Sequence, residues 1–281
     1  MTQYKGALFS MMLGAAMTFQ VACGGGDSGG GGSGGAQPSA GACFDADTSD
    51  YSRRGPYAWS TQRIGGFDVY VPRDTPGGCN TFPIVGWAMG TGLPPGYYSE
   101  YYGHFASWGL ITVVDPSNLL NLTGTSLAGA IQTVMNNSAF RDKVSGVGTI
   151  GHSQGGAAAV NVAIGNSLDV GAVVGLAPAL FQGSGSLDAA GLYIGGTADL
   201  FSVATAPDLP YGKSSGPAFI ANLSGVGHNG VATSDTSRNM STAWFRCHLG
   251  GDDNACSLFR QSAGNSCAFP GRFAECRGKN L

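Results

Sequence analysis

Short apolar runs alternate with stretches of helical periodicity over much of this chain. Residues 67–71 alternate between apolar and polar positions and end at Pro72, which predicts a half-exposed strand. Six further runs are mostly apolar and predict strands, and the first two of them, which contain β-branched residues, are typical of strands buried in a parallel sheet. These runs cover residues 82–88, 110–114, 147–150, 172–176, 192–194 and 218–223.

Between the apolar runs, apolar residues recur at helical spacing. The predicted helices cover residues 99–108, 126–135, 155–164 and 237–247. Strands that alternate with helices in this way predict an α/β fold with a doubly wound, mostly parallel sheet. Only residues 177–191 separate two of the predicted strands, and this connection is too short for a cap domain. We therefore expect an open, shallow cleft.

The N-terminal segment has the features of an export signal. Lys5 precedes an apolar run over residues 6–19, which predicts a secretory signal peptide and is too short to span a membrane comfortably. Ala22 and Cys23 resemble the lipobox of bacterial lipoproteins, although Gln20 stands where a Leu is usual. Cys23 would then be the lipidated mature N-terminus; ordinary cleavage near the same point is the alternative.

Composition divides the chain into three parts. Residues 1–22 are the predicted signal peptide, of lipoprotein type, and residues 23–41 form a tether made almost entirely of Gly, Ser and Ala. Residues 42–281 form one predicted catalytic domain. We expect an exported protein, either lipid-anchored at the cell envelope or outer-membrane surface, or secreted. Contact with a membrane would occur only through the lipid anchor.

The cysteines support export. The sequence has seven, and lipidation of Cys23 would leave an even number for disulfides. Sequence alone does not fix the pairing, but proximity favours bonds between neighbours along the chain. These pairs are Cys43–Cys79, Cys247–Cys256 and Cys267–Cys276. No Cys-x-x-Cys motif occurs, so we expect no metal site.

Composition and charge also exclude several functions. The 281 residues carry a net charge of −3, which argues against a nucleic-acid-binding protein. Glu100 and Glu275 are the only glutamates, so a paired-glutamate glycosidase site is nearly excluded. Two G-x-G-x-x-G patterns, at residues 146–151 and 225–230, lack the surrounding βαβ unit of a dinucleotide site. We expect a monomer without a cofactor.

A candidate nucleophile lies at residues 151–155, Gly-His-Ser-Gln-Gly. Four serines have G-x-S-x-G surroundings in this glycine-rich chain: Ser28, Ser33, Ser153 and Ser214. Only Ser153 follows a predicted strand and begins a predicted helix, which is the context of a nucleophile elbow. The flanking glycines would let this strained turn form without clashes.

A serine nucleophile needs a base and a group that orients the base. His228 follows a predicted strand and comes after Ser153 in the chain, as the base does in α/β-hydrolases. His104, His152 and His248 fit this role less well. Asp199 follows the strand at residues 192–194, at the same sheet edge as the nucleophile, and is the predicted acid. Asp208 is the alternative.

An oxyanion hole requires two backbone N–H groups directed at the developing negative charge. The residue after the nucleophile, Gln154, would supply one. Thr91, in the loop that follows the strand at residues 82–88, would supply the other. A plain glycine turn is the alternative interpretation of that loop.

Three segments resemble α/β-hydrolases of the dienelactone hydrolase and polyesterase type. They are Gly-His-Ser-Gln-Gly-Gly at 151–156, Gly-Gly-Thr-Ala-Asp at 195–199 and Gly-Val-Gly-His at 225–228. The resemblance is greatest to bacterial cutinases and poly(ethylene terephthalate) hydrolases. It implies triad roles for Ser153, Asp199 and His228. Ala179 stands where that group has a substrate-stacking Trp, while Thr91 replaces an aromatic residue and Gln154 a Met.

The sequence therefore predicts a serine carboxylic ester hydrolase that works through a Ser-His-Asp triad and an acyl-enzyme. The open cleft favours bulky or polymeric esters as substrates. Two alternatives remain at this stage. One is a non-catalytic surface-binding lipoprotein on a hydrolase scaffold; the other is an acetyl or feruloyl esterase, or a peptidase, with the same fold.

Overall fold

The computed structural model describes residues 48–76, 79–115, 122–165, 168–179, 183–201, 207–262 and 266–281. These residues belong to one unit that spans Gln37–Leu281. The predicted signal peptide, Cys23, the tether and Cys43 lie outside the described residues.

Nine strands form one sheet within the described part of the chain. They are β1 (Ala58–Ile64), β2 (Phe67–Arg73), β3 (Phe82–Ala88), β4 (Ile111–Val114), β5 (Val144–His152), β6 (Val170–Leu176), β7 (Ala190–Gly196), β8 (Ala218–Leu223) and β9 (Phe273–Lys279). Their order is β1-β2-β4-β3-β5-β6-β7-β8-β9. The six strands from β4 to β8 in this order are parallel to one another.

Helices cover both faces of the sheet. They are α1 (Ser99–Ser107), α2 (Thr125–Asn136), α3 (Gln154–Ile164), α4 (Asp208–Lys213), α5 (His228–Thr233), α6 (Asp235–Gly250) and α7 (Asp253–Arg260). Side chains of α1 and α6 belong to the apolar core on one face, and those of α2 and α3 to the core on the other. The predicted α/β architecture with a mostly parallel sheet is thus confirmed.

The two edge strands were not predicted. β1 lies antiparallel to β2, and β9 lies antiparallel to β8. Most residues of both strands are exposed or only partly buried. Since an edge strand buries little surface, its residues need not be apolar, and neither segment contains a recognisable apolar run.

The parallel strands bring separate parts of the sequence to one edge. Because β5, β7 and β8 run in the same direction, the segments that follow them all start at the carboxyl end of the sheet. These segments begin near Ser153, Thr197 and Ser224. In open α/β sheets, ligand sites form at this end.

Two of the predicted disulfides are present. Cys247 in α6 is bonded to Cys256 in α7, with Cα atoms 4.8 Å apart, and Cys267 is bonded to Cys276 in β9, with Cα atoms 5.9 Å apart. Cys79 is also disulfide-bonded. Disulfides of this kind indicate an oxidising, exported environment. Among the described helices, none has the length and apolar character needed to cross a membrane.

The Cys247–Cys256 bond should contribute measurably to stability. Replacing both cysteines by alanine should lower the free energy of unfolding by about 2–3 kcal/mol. Without the covalent loop, the unfolded chain gains conformational entropy and is therefore more favourable relative to the folded state. Urea unfolding of both proteins would measure the difference. Reactive thiols at these positions in unreduced native protein, found by alkylation and mass spectrometry, would contradict this prediction.

Candidate active site

Ser153 lies at the tight turn between β5 and α3. Its backbone has φ 55° and ψ −121°, a conformation that is costly for a residue with a side chain. The turn is held by its backbone: the Ser153 N–H donates to the Leu176 carbonyl at 2.9 Å, and the Ser153 carbonyl accepts from Ala179 N–H at 2.8 Å. The neighbouring end of β6 therefore fixes the strained residue, as a nucleophile elbow requires.

Glycines on both sides of Ser153 make this turn possible. A Cβ atom on Gly151 would lie 2.1 Å from the Gly155 carbonyl oxygen. One on Gly155 would lie 2.3 Å from the Ala88 carbonyl oxygen at the end of β3. Both distances are far below van der Waals contact, so only glycine fits at either position.

His228 and Asp199 form a buried pair beside this turn. The His228 Nδ1 atom lies 2.8 Å from Asp199 Oδ2, and the two side chains are only 14% and 3% exposed. The second carboxylate oxygen of Asp199 accepts from Phe201 N–H at 2.8 Å. A carboxylate accepts only, so Nδ1 carries the proton, and Nε2 of a neutral His228 ring is left as a base.

The loops that carry these two residues are bound to each other. Ala198 N–H donates to the Val226 carbonyl at 3.0 Å, and Gly225 N–H donates to the Thr197 hydroxyl at 2.8 Å. A Cβ atom on Gly196 would lie 2.2 Å from the Val226 carbonyl oxygen. Asp199 and His228 are thus held in place by hydrogen bonds between the loops that follow β7 and β8.

His228 lies on a helix, although the glycine-rich sequence of residues 225–230 is typical of a loop. It is the first residue of the short helix α5, and Gly227 is the residue before that helix. The buried side chains of Val231 and Ala232 anchor the helix in the core. The many glycines of this segment indicated a loop, but these two apolar residues bury enough surface to fold it.

Ser153 and His228 line the same pocket, which has a volume of about 410 Å³. Within the described residues, the hydrogen bonds of His228 go to Asp199 and His152 and not to the Ser153 hydroxyl. The pocket is lined by Gly90, Thr91, Leu93, His152, Ser153, Gln154, Ala179, Phe201, His228 and Asn229.

The predicted oxyanion residues also lie in this pocket. The Thr91 hydroxyl donates to the Gln154 side-chain carbonyl, which joins the loop after β3 to the start of α3. Among the described residues, neither the Thr91 nor the Gln154 backbone N–H donates to another group. Both amides are therefore available to a negatively charged oxygen.

The other histidines have different surroundings. His104 is partly buried, with Nε2 2.9 Å from the Tyr51 carbonyl oxygen, and His248 packs on Trp244 with ring centroids 4.1 Å apart. Burial lowers the pKa of each ring to about 4. Neither lines the pocket. The His248 Nε2 atom is buried and has no hydrogen-bond partner among the described residues.

The alternative acids and the alternative serine lie elsewhere. Asp208 is exposed on α4 and forms an ion pair with Arg277. Asp169 and Asp188 line a separate pocket at the amino end of β6. Ser214 is buried and donates to the Pro210 carbonyl at 2.9 Å, with no histidine beside it. Ser28 and Ser33 lie outside the described residues.

Several pocket residues escaped the sequence analysis. Leu93, Phe201 and Asn229 add apolar and polar surface around the reactive groups. The Phe201 ring lies 5.2 Å from the His228 ring and is 62% exposed. Its position two residues after the predicted acid Asp199 could have indicated that Phe201 lies in the pocket. In the described parts of the chain, no three His, Cys, Asp or Glu residues converge to hold a metal ion.

No protein-family model matches this chain, and no curated protein matches it significantly.

Proposed function

We propose that this protein is a serine ester hydrolase with Ser153 as nucleophile, His228 as general base and Asp199 as the residue that orients His228. One observation carries the proposal. Ser153, on a strained turn between a strand and a helix, shares a pocket with a histidine whose Nδ1 atom is hydrogen-bonded to a buried aspartate. The α/β-hydrolase resemblance of the sequence supports the same assignment.

In the proposed reaction, His228 Nε2 accepts the proton of the Ser153 hydroxyl as Oγ attacks the ester carbonyl carbon. The Thr91 and Gln154 amides stabilise the oxyanion of the tetrahedral intermediate. His228 then donates its proton to the departing alcohol, which leaves an acyl group on Ser153. A water molecule, activated by His228, hydrolyses this acyl-enzyme and restores the serine.

The surroundings of the pocket favour apolar esters. Leu93, Ala179 and Phe201 line it, and Leu200, directly after Asp199, is 95% exposed. An exposed apolar residue next to the lining residue Phe201 in sequence suits contact with a bulky or polymeric substrate, because apolar surface on both partners leaves water on binding. The small Ala179 leaves open the place that a Trp fills in the polyester hydrolases this sequence resembles.

The test uses the full-length protein and a series of p-nitrophenyl esters of increasing acyl length, followed by a polyester film. We expect hydrolysis of short and medium esters and release of soluble products from the film. A p-nitrophenyl phosphonate should inactivate the protein and label the tryptic peptide that contains Ser153.

The alternatives would give different results. If the protein neither hydrolyses these esters nor reacts with the phosphonate, it is a binding protein on a hydrolase scaffold. Labelling of Ser153 with activity only on acetylated or feruloylated sugars, or on peptides, would keep the mechanism and change the substrate.

A further inference from the structure

A buried chain of hydrogen bonds joins the loop after β3 to the backbone of the predicted base. The Gly90 N–H donates to the Tyr98 hydroxyl at 2.9 Å. The Tyr98 hydroxyl lies 2.9 Å from His152 Nδ1, and His152 Nε2 lies 3.3 Å from the His228 carbonyl oxygen. The chain therefore connects three segments of the pocket wall.

The two ends of this chain determine where its protons lie. A backbone N–H only donates, so the Tyr98 oxygen accepts from Gly90, and its own proton is directed to His152 Nδ1. A carbonyl oxygen only accepts, so His152 Nε2 carries the proton that binds the His228 carbonyl. Every group then has a suitable partner, and a single tautomer of His152 satisfies the whole chain.

The surroundings keep both side chains in the required protonation states. Burial, together with the charge of the nearby His228 ring, lowers the pKa of His152 to about 4, so His152 is neutral near neutral pH. Burial raises the pKa of Tyr98 to about 12, so its hydroxyl keeps its proton. A neutral His152 also matters to His228, because the rings are only 4.8 Å apart and a positive charge on His152 would oppose protonation of the base.

Packing leaves this chain of hydrogen bonds little freedom to rearrange. Tyr98 and His152 are each 1% exposed, and the Tyr98 ring packs against Trp87 at 5.2 Å between centroids. A Cβ atom on Gly90 would lie 2.8 Å from His152 Nδ1 and 2.9 Å from the Tyr98 hydroxyl oxygen. The absence of a side chain at Gly90 is what lets its amide reach this network.

We propose that Tyr98 and His152 are positioning residues that hold the oxyanion loop at Gly90 and the backbone of His228 at a fixed separation on either side of Ser153. This inference rests on the proposed ester hydrolysis. Neither residue reacts with substrate in it. Their effect is to keep the Thr91 amide and the His228 ring in place when the tetrahedral intermediate forms.

Removing the hydroxyl of Tyr98, or both ring nitrogens of His152, tests the proposal. Tyr98→Phe and His152→Phe should each lower kcat roughly 10- to 100-fold, since small displacements of reacting groups have effects of this size. KM for a short p-nitrophenyl ester should not change in Tyr98→Phe, because the tyrosine does not line the pocket. The double variant should be no slower than the slower single variant, because both substitutions break one chain.

Tyr193→Phe is the matched control. Its hydroxyl is also buried and lies 3.0 Å from Ser214 Oγ, but it does not line the pocket. This variant should lose similar thermal stability and keep its kcat. Equal kcat losses in Tyr193→Phe and Tyr98→Phe would show a general effect of destabilisation and overturn the proposal, as would effects that simply add in the double variant.

A second measurement does not depend on catalysis. Nitrogen-15 spectra of the full-length protein should show the His152 ring protonated at Nε2 and unprotonated at Nδ1. A proton on Nδ1 would contradict the chain. If the protein hydrolyses no ester but this tautomer is found, the proposed function fails while the hydrogen-bond network stands. If the wild type is active and Tyr98→Phe keeps a normal kcat, the proposed function stands and the positioning role of the network fails.

Discussion

Replacing Ser153 by alanine should reduce ester hydrolysis to background while the protein remains folded. The hydroxyl oxygen is the proposed attacking atom, and no other group in the pocket takes its place; loss of a serine nucleophile lowers kcat by roughly 10⁶-fold in a well-studied protease. The alanine keeps a Cβ atom at the same strained φ, so the turn should form as before. Hydrolysis of a p-nitrophenyl ester and a thermal melt of both proteins would measure the two effects.

Ser214→Ala is the control for this experiment. Ser214 also has G-x-S-x-G surroundings, but it is buried beside Tyr193 and lies outside the pocket. The variant should keep its activity and lose a little stability, since two hydrogen-bond partners lose their contact. Substantial activity in Ser153→Ala, with phosphonate labelling at another residue, would refute the assignment of the nucleophile.

Replacing Asp199 by asparagine should have the second largest effect. The amide can keep the size and position of the side chain, but it can donate a proton to His228 Nδ1 and so favour the tautomer with its proton on Nε2. That tautomer cannot accept the serine proton, and the corresponding change costs about 10⁴-fold in kcat in a serine protease. Steady-state kinetics with a soluble ester would measure the loss.

Asp208→Asn provides the comparison. The Asp208 carboxylate is exposed and paired with Arg277, and an exposed ion pair contributes little to stability. This variant should keep nearly full activity. Should Asp208→Asn lose activity and Asp199→Asn retain it, Asp208 would be the acid and the pairing of Asp199 with His228 would have no catalytic role.

The sequence predicted the inner sheet well because those strands are buried on both faces. The runs at residues 82–88 and 218–223 match β3 and β8 at both ends. β5, by contrast, begins at Val144, three residues before the predicted start, where its residues are partly exposed. Continuous apolar sequence therefore locates the buried part of a strand and misses its solvated end.

The triad candidates could be found from chain order and from the strands that precede them. The hydrogen-bond network of Tyr98 and His152 that holds them could not be found in this way. Tyr98 looks like any other core aromatic in a segment with three further tyrosines nearby, and its hydroxyl gains a role only because the end of β3 places the Gly90 amide above it. Such a contact forms only when separate segments of the sequence fold together, so no local sequence pattern predicts it.

The glycine contacts around the pocket also bear on how this protein can change during evolution. A Cβ atom added at Gly151, Gly155 or Gly196 would collide with backbone atoms, which cannot move aside as side chains do. Most single substitutions at these positions should be purged by selection, even though none of the three lines the pocket. Under the proposed ester hydrolysis, adaptation to a new ester would proceed through residues such as Ala179 and Phe201, which line the pocket. The glycine frame of the pocket and its substrate preference would then evolve at very different rates.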